Sequence, residues 1–256
     1  MTDGLDGSVV VVTGAAGGVG HAVSRWLIAR GAQVFDLDRR QPSEVAGQFV
    51  AVDVGDPASV DHAVEEVLGQ AGRIDGLVVA AGLSEEPTPA EEMSAEVWQR
   101  TIGVNLSGAF HTCQRVGRVM LAQGTGRIVT IASMSGAHIV NVPQQQVAYN
   151  ASKAGLVAMT KSLAYEWAGR GVRVNALSPG YIDTPLLRGA FARGAIAEED
   201  VLARIPMGRV ADTAEIAQVV AFLASPAAGY ITGQTLVVDG DFLVDYGVGI
   251  RRPSGG

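Results

Sequence analysis

Residues 9–20 read VVVVTGAAGGVG, a short β-branched run followed by a glycine-rich turn that leads directly into a helical pattern. Glycine permits backbone conformations closed to other residues and lets the chain approach a pyrophosphate closely. The N-terminus of the following helix supplies free N–H groups and a positive potential. Glycines also serve ordinary tight turns, so the prediction depends on the position between strand and helix. We predict a nucleotide-phosphate site formed by Gly14, Gly17, Gly18, Val19 and Gly20.

A carboxylate at the end of the second predicted strand indicates how the nucleotide's sugar is bound. Asp38 lies 24 positions beyond Gly14, close to the spacing typical of a carboxylate that bonds the adenosine ribose hydroxyls. At about 5 Å and an effective dielectric of about 20, such a carboxylate would repel the 2′-phosphate of NADP by several kcal/mol. This favours NAD as cofactor over NADP. Three alternatives remain: Arg39 could meet a phosphate, Asp38 could merely cap a loop, and Asp36 could be the ribose carboxylate if the register is shifted.

Short apolar strands alternate with longer stretches of helical period along the chain. This alternation is typical of βαβ units, and continuous apolar strands indicate helices on both sheet faces. The sequence therefore predicts an α/β fold of the Rossmann type, with a doubly wound, seven-stranded parallel sheet. The predicted strands span residues 9–12, 33–37, 49–52, 76–80, 127–132, 172–176 and 235–238. The predicted helices span residues 19–30, 58–70, 95–123, 147–168 and 214–224.

The domain organisation is predicted to be simple. We find no internal repeat, linker or break in composition, which predicts one domain over residues 1–256. A mobile helical flap is expected at about 186–209, after a Pro-Gly turn. A loose tail rich in glycine is expected at about 246–256.

Composition excludes several classes of function. The net charge of −7 disfavours a nucleic-acid partner, which normally meets a basic face. The single cysteine, Cys113, excludes an internal disulfide and a cysteine-rich metal site and is typical of a reducing cytoplasm, where we place the protein. No secretion signal or membrane span is readable. None of the four histidines has the spacing of a metal ligand pair, so we expect no metal and a small-molecule substrate.

A tyrosine and a lysine are placed one helical turn apart. A spacing of four puts Tyr149 and Lys153 on one face of the predicted helix. A tyrosine pKa must fall from about 10 towards about 7 to make a useful base, which takes roughly 4 kcal/mol. An ammonium about 4 Å away in a shielded cleft supplies about that much. A Tyr-x-x-x-Lys pattern alone more often belongs to the solvated surface of a helix. Whether this pair is catalytic therefore depends on the surrounding motifs.

Those motifs together resemble the short-chain dehydrogenase/reductase family over almost the whole chain. They are the glycine-rich turn, Gly103-Val104-Asn105-Leu106, a serine-bearing strand end, Tyr149-x-x-x-Lys153 and residues 174–180, VNALSPG. The resemblance implies that Tyr149 is the general acid/base and that Lys153 binds the nicotinamide ribose and lowers the tyrosine pKa. It implies that Asn105 anchors a water of the proton relay, although its amide could also kink or cap a helix.

Two serines compete for the role of orienting the substrate oxygen. Either Ser133 or Ser135 could reach a carbonyl from the strand end, and we choose Ser133. Ser133 lies 16 positions before Tyr149, which is longer than is usual in the family and indicates a small insertion between them.

The resemblance implies further cofactor contacts at the ends of other strands. Residues 79–82 read VAAG where the family has Asn-Asn-Ala-Gly, a change that we interpret as a packing variation because backbone groups can still pass along the ribose. Thr184 is expected at the nicotinamide carboxamide, although it could instead cap the flap helix. The implied cofactor contacts beyond the first turn are Asp38, Arg39, Asp53, Val54, Ala80, Ala81, Gly82, Asn105, Tyr149, Lys153, Pro179, Gly180, Ile182 and Thr184.

The loop before Tyr149 bears on the substrate. Residues 133–144 are similar to the loop of the polyol and sugar-alcohol branch of the family, which implies a dehydrogenase for a secondary alcohol of that class. The polar residues Asn141, Gln144, Gln145 and Gln146 could bond substrate hydroxyls or hold their own loop together. The alternatives are a 3-oxoacyl thioester reductase, which would prefer NADPH, and a nucleotide-binding regulator without turnover. Apolar residues in the helices at 95–123 and 147–168 exceed the needs of one sheet face, and with the resemblance they predict a homotetramer or homodimer.

Overall fold

The computed structural model describes residues 4–42, 44, 46–140 and 145–244, and the fold is reported for these. The strands are β1 Val9–Thr13, β2 Gln33–Asp38, β3 Gln48–Ala51, β4 Gly76–Val79, β5 Gly126–Ile131, β6 Val172–Pro179 and β7 Thr235–Val238. The helices are α1 Gly18–Ile28, α2 Pro57–Ala71, α3 Ala95–Ile102, α4 Ala109–Gln123, α5 Met134–Ala137, α6 Val147–Trp167, α7 Pro185–Ala192, α8 Glu198–Arg204 and α9 Thr213–Leu223.

Within the described residues, seven parallel strands form one sheet in the order β3-β2-β1-β4-β5-β6-β7. The chain leaves β1 towards β2 on one side and resumes at β4 on the other side. The loops that follow β1 and β4 therefore diverge, and a crevice opens beyond the carboxyl ends of these strands. The predicted α/β doubly wound parallel sheet is confirmed.

Two apolar clusters cover the two faces of the sheet. In β1 the side chains of Val9 and Val11 pack into one cluster, and those of Val10 and Val12 pack into the other. The first cluster includes buried residues of α2, α4 and α6, and the second includes buried residues of α1 and α9. Because successive side chains of a strand point to opposite faces, a strand buried on both faces must be apolar throughout.

Two predicted elements differ from the structure. The helix predicted over 95–123 is divided, because a π-helical segment at Gly103–Gly108 separates α3 from α4. A single extra residue in the turn leaves the apolar period almost unchanged, so periodicity does not reveal it. The short α5 was not predicted, because four residues are too few to show a helical period. Helices α7 and α8 occupy the predicted flap, and the predicted tail at 246–256 lies outside the described residues.

Candidate active site

The carboxyl ends of four adjacent strands bring the candidate residues to one edge of the sheet. Residues 14–20 follow β1, residues 80–82 follow β4, Ser133 follows β5, and Pro179 closes β6. The strand order places these ends side by side. Side chains that are far apart in the sequence therefore share one crevice.

The turn after β1 is shaped for an anion. Helix α1 begins after Gly17, with no side-chain cap and no acidic residue in its first turn. Its first N–H groups and its positive end are therefore available to a negatively charged ligand. Gly14 has a φ of 69°, and a Cβ there would lie 2.6 Å from the backbone of Ala81, so only glycine fits this approach of the two loops.

The two candidate ribose carboxylates have different environments. Asp38 is partly exposed at the end of β2 and accepts hydrogen bonds from the N–H of Ala16 at 3.1 Å and of Arg40 at 3.4 Å. Asp36 is 1% exposed, and its carboxylate accepts from Ser24 Oγ at 2.6 Å and from Gly47 N at 2.7 Å. Asp36 therefore ties β2 to α1 and to the start of β3, whereas Asp38 lies beside the anion-binding turn. The exposed Arg39 follows it.

The loops after β3 and β6 border the same crevice. Asp53 accepts the Gly55 N–H at 2.9 Å, and the buried Val54 packs against Gly108. After β6, Gly180 donates to the Val238 carbonyl at 2.9 Å. Ile182 forms an isolated bridge with Ala211.

Thr184 makes two contacts at the base of the flap. Its hydroxyl accepts the Leu187 N–H at 3.3 Å, so it caps α7, as the alternative interpretation of this residue expected. A Cβ built on Gly18 would lie 3.1 Å from Thr184 Cγ2. The start of the flap therefore lies directly against the anion-binding turn.

Asn105 lies in the π-helical segment and is 1% exposed. Its Nδ2 donates to the Leu83 carbonyl at 2.8 Å and to Ser152 Oγ at 3.0 Å, and its Oδ1 accepts the Leu83 N–H at 2.8 Å. The amide thus clamps the loop after β4 onto helix α6. The Cβ position over Gly82 lies 3.4 Å from Asn105 Oδ1 and 3.5 Å from Lys153 Nζ.

Ser133, Tyr149 and Lys153 meet at the centre of the crevice. The Ser133 side chain lies close enough to the Tyr149 phenol to lower its pKa, and its hydroxyl accepts the Ser135 N–H at 3.1 Å as the cap of α5. The buried Lys153 lies one turn along α6, with Nζ 5.7 Å from the centroid of the Tyr149 ring. Ser135 is also buried. Ser133, the serine chosen from the sequence, acts on the phenol.

The ionisation of this pair departs from expectation. Burial raises the pKa of Tyr149, the hydrogen bond from Ser133 lowers it, and the charge of Glu85 raises it further, so that the pKa is above its ordinary value of 10.0. Burial and the charge of Glu85 set this direction, and the lowering of the tyrosine pKa by Lys153 stays a prediction. The Lys153 ammonium donates to the Ile131 carbonyl at 2.8 Å rather than to the phenol, and burial lowers its own pKa to about 8.

Among the described residues there is neither a helix that could span a membrane nor a cluster that could hold a metal ion. None of their helices is both long enough and apolar enough to cross a membrane. Among the same residues, no group of three or more His, Cys, Asp or Glu side chains is arranged to hold a metal ion.

Comparisons with known proteins match most of the chain. Residues 14–242 match a family model described as enoyl-(acyl carrier protein) reductase. D-threitol dehydrogenase of Mycolicibacterium smegmatis is 43% identical over 254 residues, which cover 94% of each chain. Galactitol 2-dehydrogenase (L-tagatose-forming) of Cereibacter sphaeroides is 40% identical, over 94% of this chain and 96% of the relative. A 3-oxoacyl-[acyl-carrier-protein] reductase of Thermotoga maritima is 39% identical, over 94% and 99%.

A solved structure agrees with these matches. The crystal structure of a short-chain type dehydrogenase/reductase from Mycobacterium marinum superposes with a TM-score of 0.87 at 35% identity, covering 94% of this chain and 97% of that chain. The chain belongs to the short-chain dehydrogenase/reductase family. As a member it is an oxidoreductase that uses a nicotinamide cofactor, NAD or NADP. Its similarity to the polyol dehydrogenase branch is confirmed.

One charged residue of this site, Glu85, was not among the candidates predicted from the sequence. Glu85 is 7% exposed, and its Oε1 accepts the Tyr149 N–H at 2.9 Å. Gln146 Nε2 donates to Ser84 Oγ at 2.6 Å and to the Glu85 carbonyl at 2.9 Å. No signal in the sequence indicates this, because Glu85 and Glu86 look like a solvated pair in a loop.

Gln146 was one of the four polar residues for which substrate binding and loop support were left open. Its side chain supports the loop after β4, and the Gln145 carbonyl accepts the Thr88 N–H at 3.0 Å. Asn141 and Gln144 lie outside the described residues.

Proposed function

We propose that this chain is an NAD-dependent dehydrogenase that interconverts a secondary alcohol of a polyol or sugar alcohol with the ketone. The observation that carries the proposal is the contact between the Ser133 hydroxyl and the Tyr149 phenol, with the Lys153 ammonium one helical turn away. A hydroxyl donor beside a phenol is the arrangement that can hold a substrate oxygen and move its proton.

Each of these side chains has a proposed task. Ser133 orients the substrate oxygen, and in the direction of oxidation the Tyr149 phenolate takes the hydroxyl proton. Lys153 binds the nicotinamide ribose, and Asn105 holds a water of the proton relay near Lys153, since both face the space over Gly82. When bound, the nicotinamide supplies the hydride acceptor or donor. A protonated Lys153 also favours the phenolate by its positive charge, and its pKa of about 8 keeps it charged at neutral pH.

The crevice fits a dinucleotide. The uncapped N-terminus of α1 suits a pyrophosphate, and the Asp38 carboxylate beside Ala16 suits ribose hydroxyls. We propose that the cofactor contacts are Gly14, Gly17, Gly18, Val19, Gly20, Asp38, Arg39, Asp53, Val54, Ala80, Ala81, Gly82, Asn105, Tyr149, Lys153, Pro179, Gly180, Ile182 and Thr184. The negative charge of Asp38 supports NAD over NADP.

The relatives support the substrate class. The two relatives named for threitol and galactitol are 43% and 40% identical to this chain. A thioester reductase is the second candidate, because the family model and the Thermotoga maritima relative are both named for acyl-carrier-protein substrates. The Asp38 carboxylate disfavours NADPH, the cofactor that a thioester reductase would prefer. The net charge of −7 disfavours docking of an acidic carrier protein.

The first prediction tests the proposed chemistry. Polyols including threitol and galactitol, sugars, simple secondary alcohols and a 3-oxoacyl thioester are assayed with NAD and NADP by the absorbance of the reduced nicotinamide. We expect turnover of a polyol with NAD, and a loss of about 10²- to 10⁴-fold in kcat in Tyr149→Phe, because general acid–base catalysis contributes that much. Ser133→Ala should also lose kcat. Equal activity of Tyr149→Phe and the parent would show that the phenol takes no part in catalysis. The proposed mechanism would then be wrong, and a protein that only binds the nucleotide would remain as the alternative.

The second prediction tests the cofactor. Asp38→Asn removes the charge that would repel a 2′-phosphate, so the ratio of kcat/KM with NADP to that with NAD should rise about tenfold or more. Asp36→Asn is the matched control, because it changes the same group two residues away. It should leave this ratio unchanged and lower the free energy of unfolding by about 1–3 kcal/mol, since an amide cannot accept from both Ser24 and Gly47. An unchanged ratio in Asp38→Asn would contradict the ribose role.

A further inference from the structure

The loop after β4 places a buried carboxylate at the start of the helix that carries Tyr149. Glu85 is 7% exposed, and its Oε1 accepts the N–H of Tyr149 at 2.9 Å in the first turn of α6. This bond fixes the backbone of the tyrosine directly.

The other carboxylate oxygen has an unusual environment. Glu85 Oε2 is buried and has no hydrogen-bond partner among the described residues. A carboxylate held away from water with one oxygen unpaired is costly. Capping of the helix alone does not require a buried carboxylate, because a neutral Ser, Thr or Asn satisfies the same N–H groups in an exposed loop. Glu85 therefore places an acidic side chain beside Tyr149 where a neutral cap would meet the same N–H.

The surrounding loop holds this carboxylate in place from two sides. Asn105 clamps both backbone groups of Leu83, and Gln146 bonds Ser84 and the Glu85 carbonyl. Glu85 thus has little freedom to turn towards solvent.

Few charged groups face Tyr149 within the part of the chain that the structure describes. Lys153 approaches from α6 itself, Glu85 approaches from the loop after β4, and the neutral Ser133 faces the phenol from the end of β5. The two charges act in opposite directions on the phenolate. The charge of Glu85 is one of the causes that raise the pKa of Tyr149.

From these contacts we infer that Glu85 is a positioning residue that fixes Tyr149 through its backbone N–H and sets the pH range in which the phenol works. The inference rests on the proposed role of Tyr149 as the acid/base. In oxidation the phenol must lose its proton, so a negative neighbour moves the acidic side of the rate profile to higher pH. In reduction the same charge keeps the phenol protonated and ready to donate.

The test uses Glu85→Gln in the full chain. The amide oxygen can still accept the Tyr149 N–H, but the charge is gone. At about 8 Å and an effective dielectric of about 20, removal of one charge lowers a phenol pKa by about one to one and a half pH units. We expect the acidic side of the profile of kcat/KM for alcohol oxidation to move to lower pH by about that much. Glu86→Gln, which removes a charge from the exposed neighbouring residue, should leave the profile unchanged.

A second measurement does not depend on turnover. Phenolate absorbance is titrated in Glu85→Gln and in the parent, each against the same protein carrying Tyr149→Phe, so that the difference reports Tyr149 alone. The phenol should titrate at lower pH in Glu85→Gln. Glu85→Asp keeps the charge on a shorter side chain, so its rate profile should keep the parent's pH dependence while its plateau falls.

The outcomes separate the inference from the proposed function. An unmoved profile and an unmoved titration in Glu85→Gln, with Tyr149→Phe inactive, overturn the inference alone. Full activity of Tyr149→Phe overturns the proposed function and the inference with it.

Discussion

At the scale of one residue, burial of the Lys153 ammonium lowers the stability of the fold. Its side chain is buried in α6, and its ammonium donates to the Ile131 carbonyl at 2.8 Å. Burial lowers its pKa from 10.5 to about 8. This difference corresponds to about 3 kcal/mol by which folding is disfavoured while the lysine is charged.

The third prediction follows from that cost. Lys153→Met keeps the length of the side chain and removes the charge, so at about pH 7 we expect the free energy of unfolding to rise by about 2 kcal/mol, after about 1 kcal/mol for the lost hydrogen bond. Activity should be lost. Between about pH 8 and 10.5 the unfolded chain binds more protons than the native chain, so the parent gains stability as the pH rises. The stability advantage of Lys153→Met therefore disappears over this range.

Denaturant unfolding at about pH 7 and about pH 10 checks this prediction. Lys161→Met makes the same change on the exposed face of the same helix and should give no comparable gain. A destabilised Lys153→Met at about pH 7 would show that the ammonium stabilises the fold.

At the scale of the elements, the approach of α5 to α6 sets the distance between the serine and the tyrosine. Gly136 in α5 has a φ of 81°, which disfavours any other residue. A Cβ there would also overlap the Asn150 carbonyl of α6, next to Tyr149. The close contact of these two helices therefore depends on a glycine.

The fourth prediction concerns this contact. Gly136→Ala should lower the free energy of unfolding by about 2–4 kcal/mol, from the strained backbone and the overlap together. It should also lower kcat, because separation of the helices breaks the contact between Ser133 and Tyr149. Gly69→Ala in α2 is the control, since a Cβ there meets nothing within 4 Å. It should raise stability by about 0.5–1 kcal/mol and leave kcat unchanged. A harmless Gly136→Ala would mean that the two helices can separate without cost.

At the scale of the whole molecule, the predicted homotetramer or homodimer is still to be measured. Helices α3 and α4 expose two large aromatic side chains, since Trp98 and Phe110 are each 40% exposed. Val97 and Val147 are also exposed. Exposed apolar residues on these helices are consistent with a second subunit.

The fifth prediction follows. In light scattering we expect the parent to have two or four times the chain mass of 26.4 kDa, and Trp98→Arg to have a smaller mass, because a charge in an apolar interface is costly. Leu186→Arg, on the exposed flap, should keep the parent's mass. A parent that runs at 26.4 kDa would make the oligomer prediction wrong.

The architecture could be predicted from the sequence because its determinants are local. Strands such as β1 bury both faces and must be apolar throughout, and a glycine-rich turn between strand and helix has few other uses. The same locality explains the errors. The π-helical segment around Asn105 and the four-residue α5 leave no clear period, and their geometry depends on contacts with Leu83 and with α6.

The sequence by itself determined the doubly wound fold, the family and the candidate site residues, because period, turn chemistry and motif spacing are properties of neighbouring residues. Only the tertiary structure decided which carboxylate is structural, that Ser133 acts on Tyr149, and that Glu85 lies beside it. It also placed the tyrosine where burial and the charge of Glu85 raise its pKa. Burial and charge depend on groups that the fold brings together from distant parts of the chain, so spacing along the sequence does not reveal them.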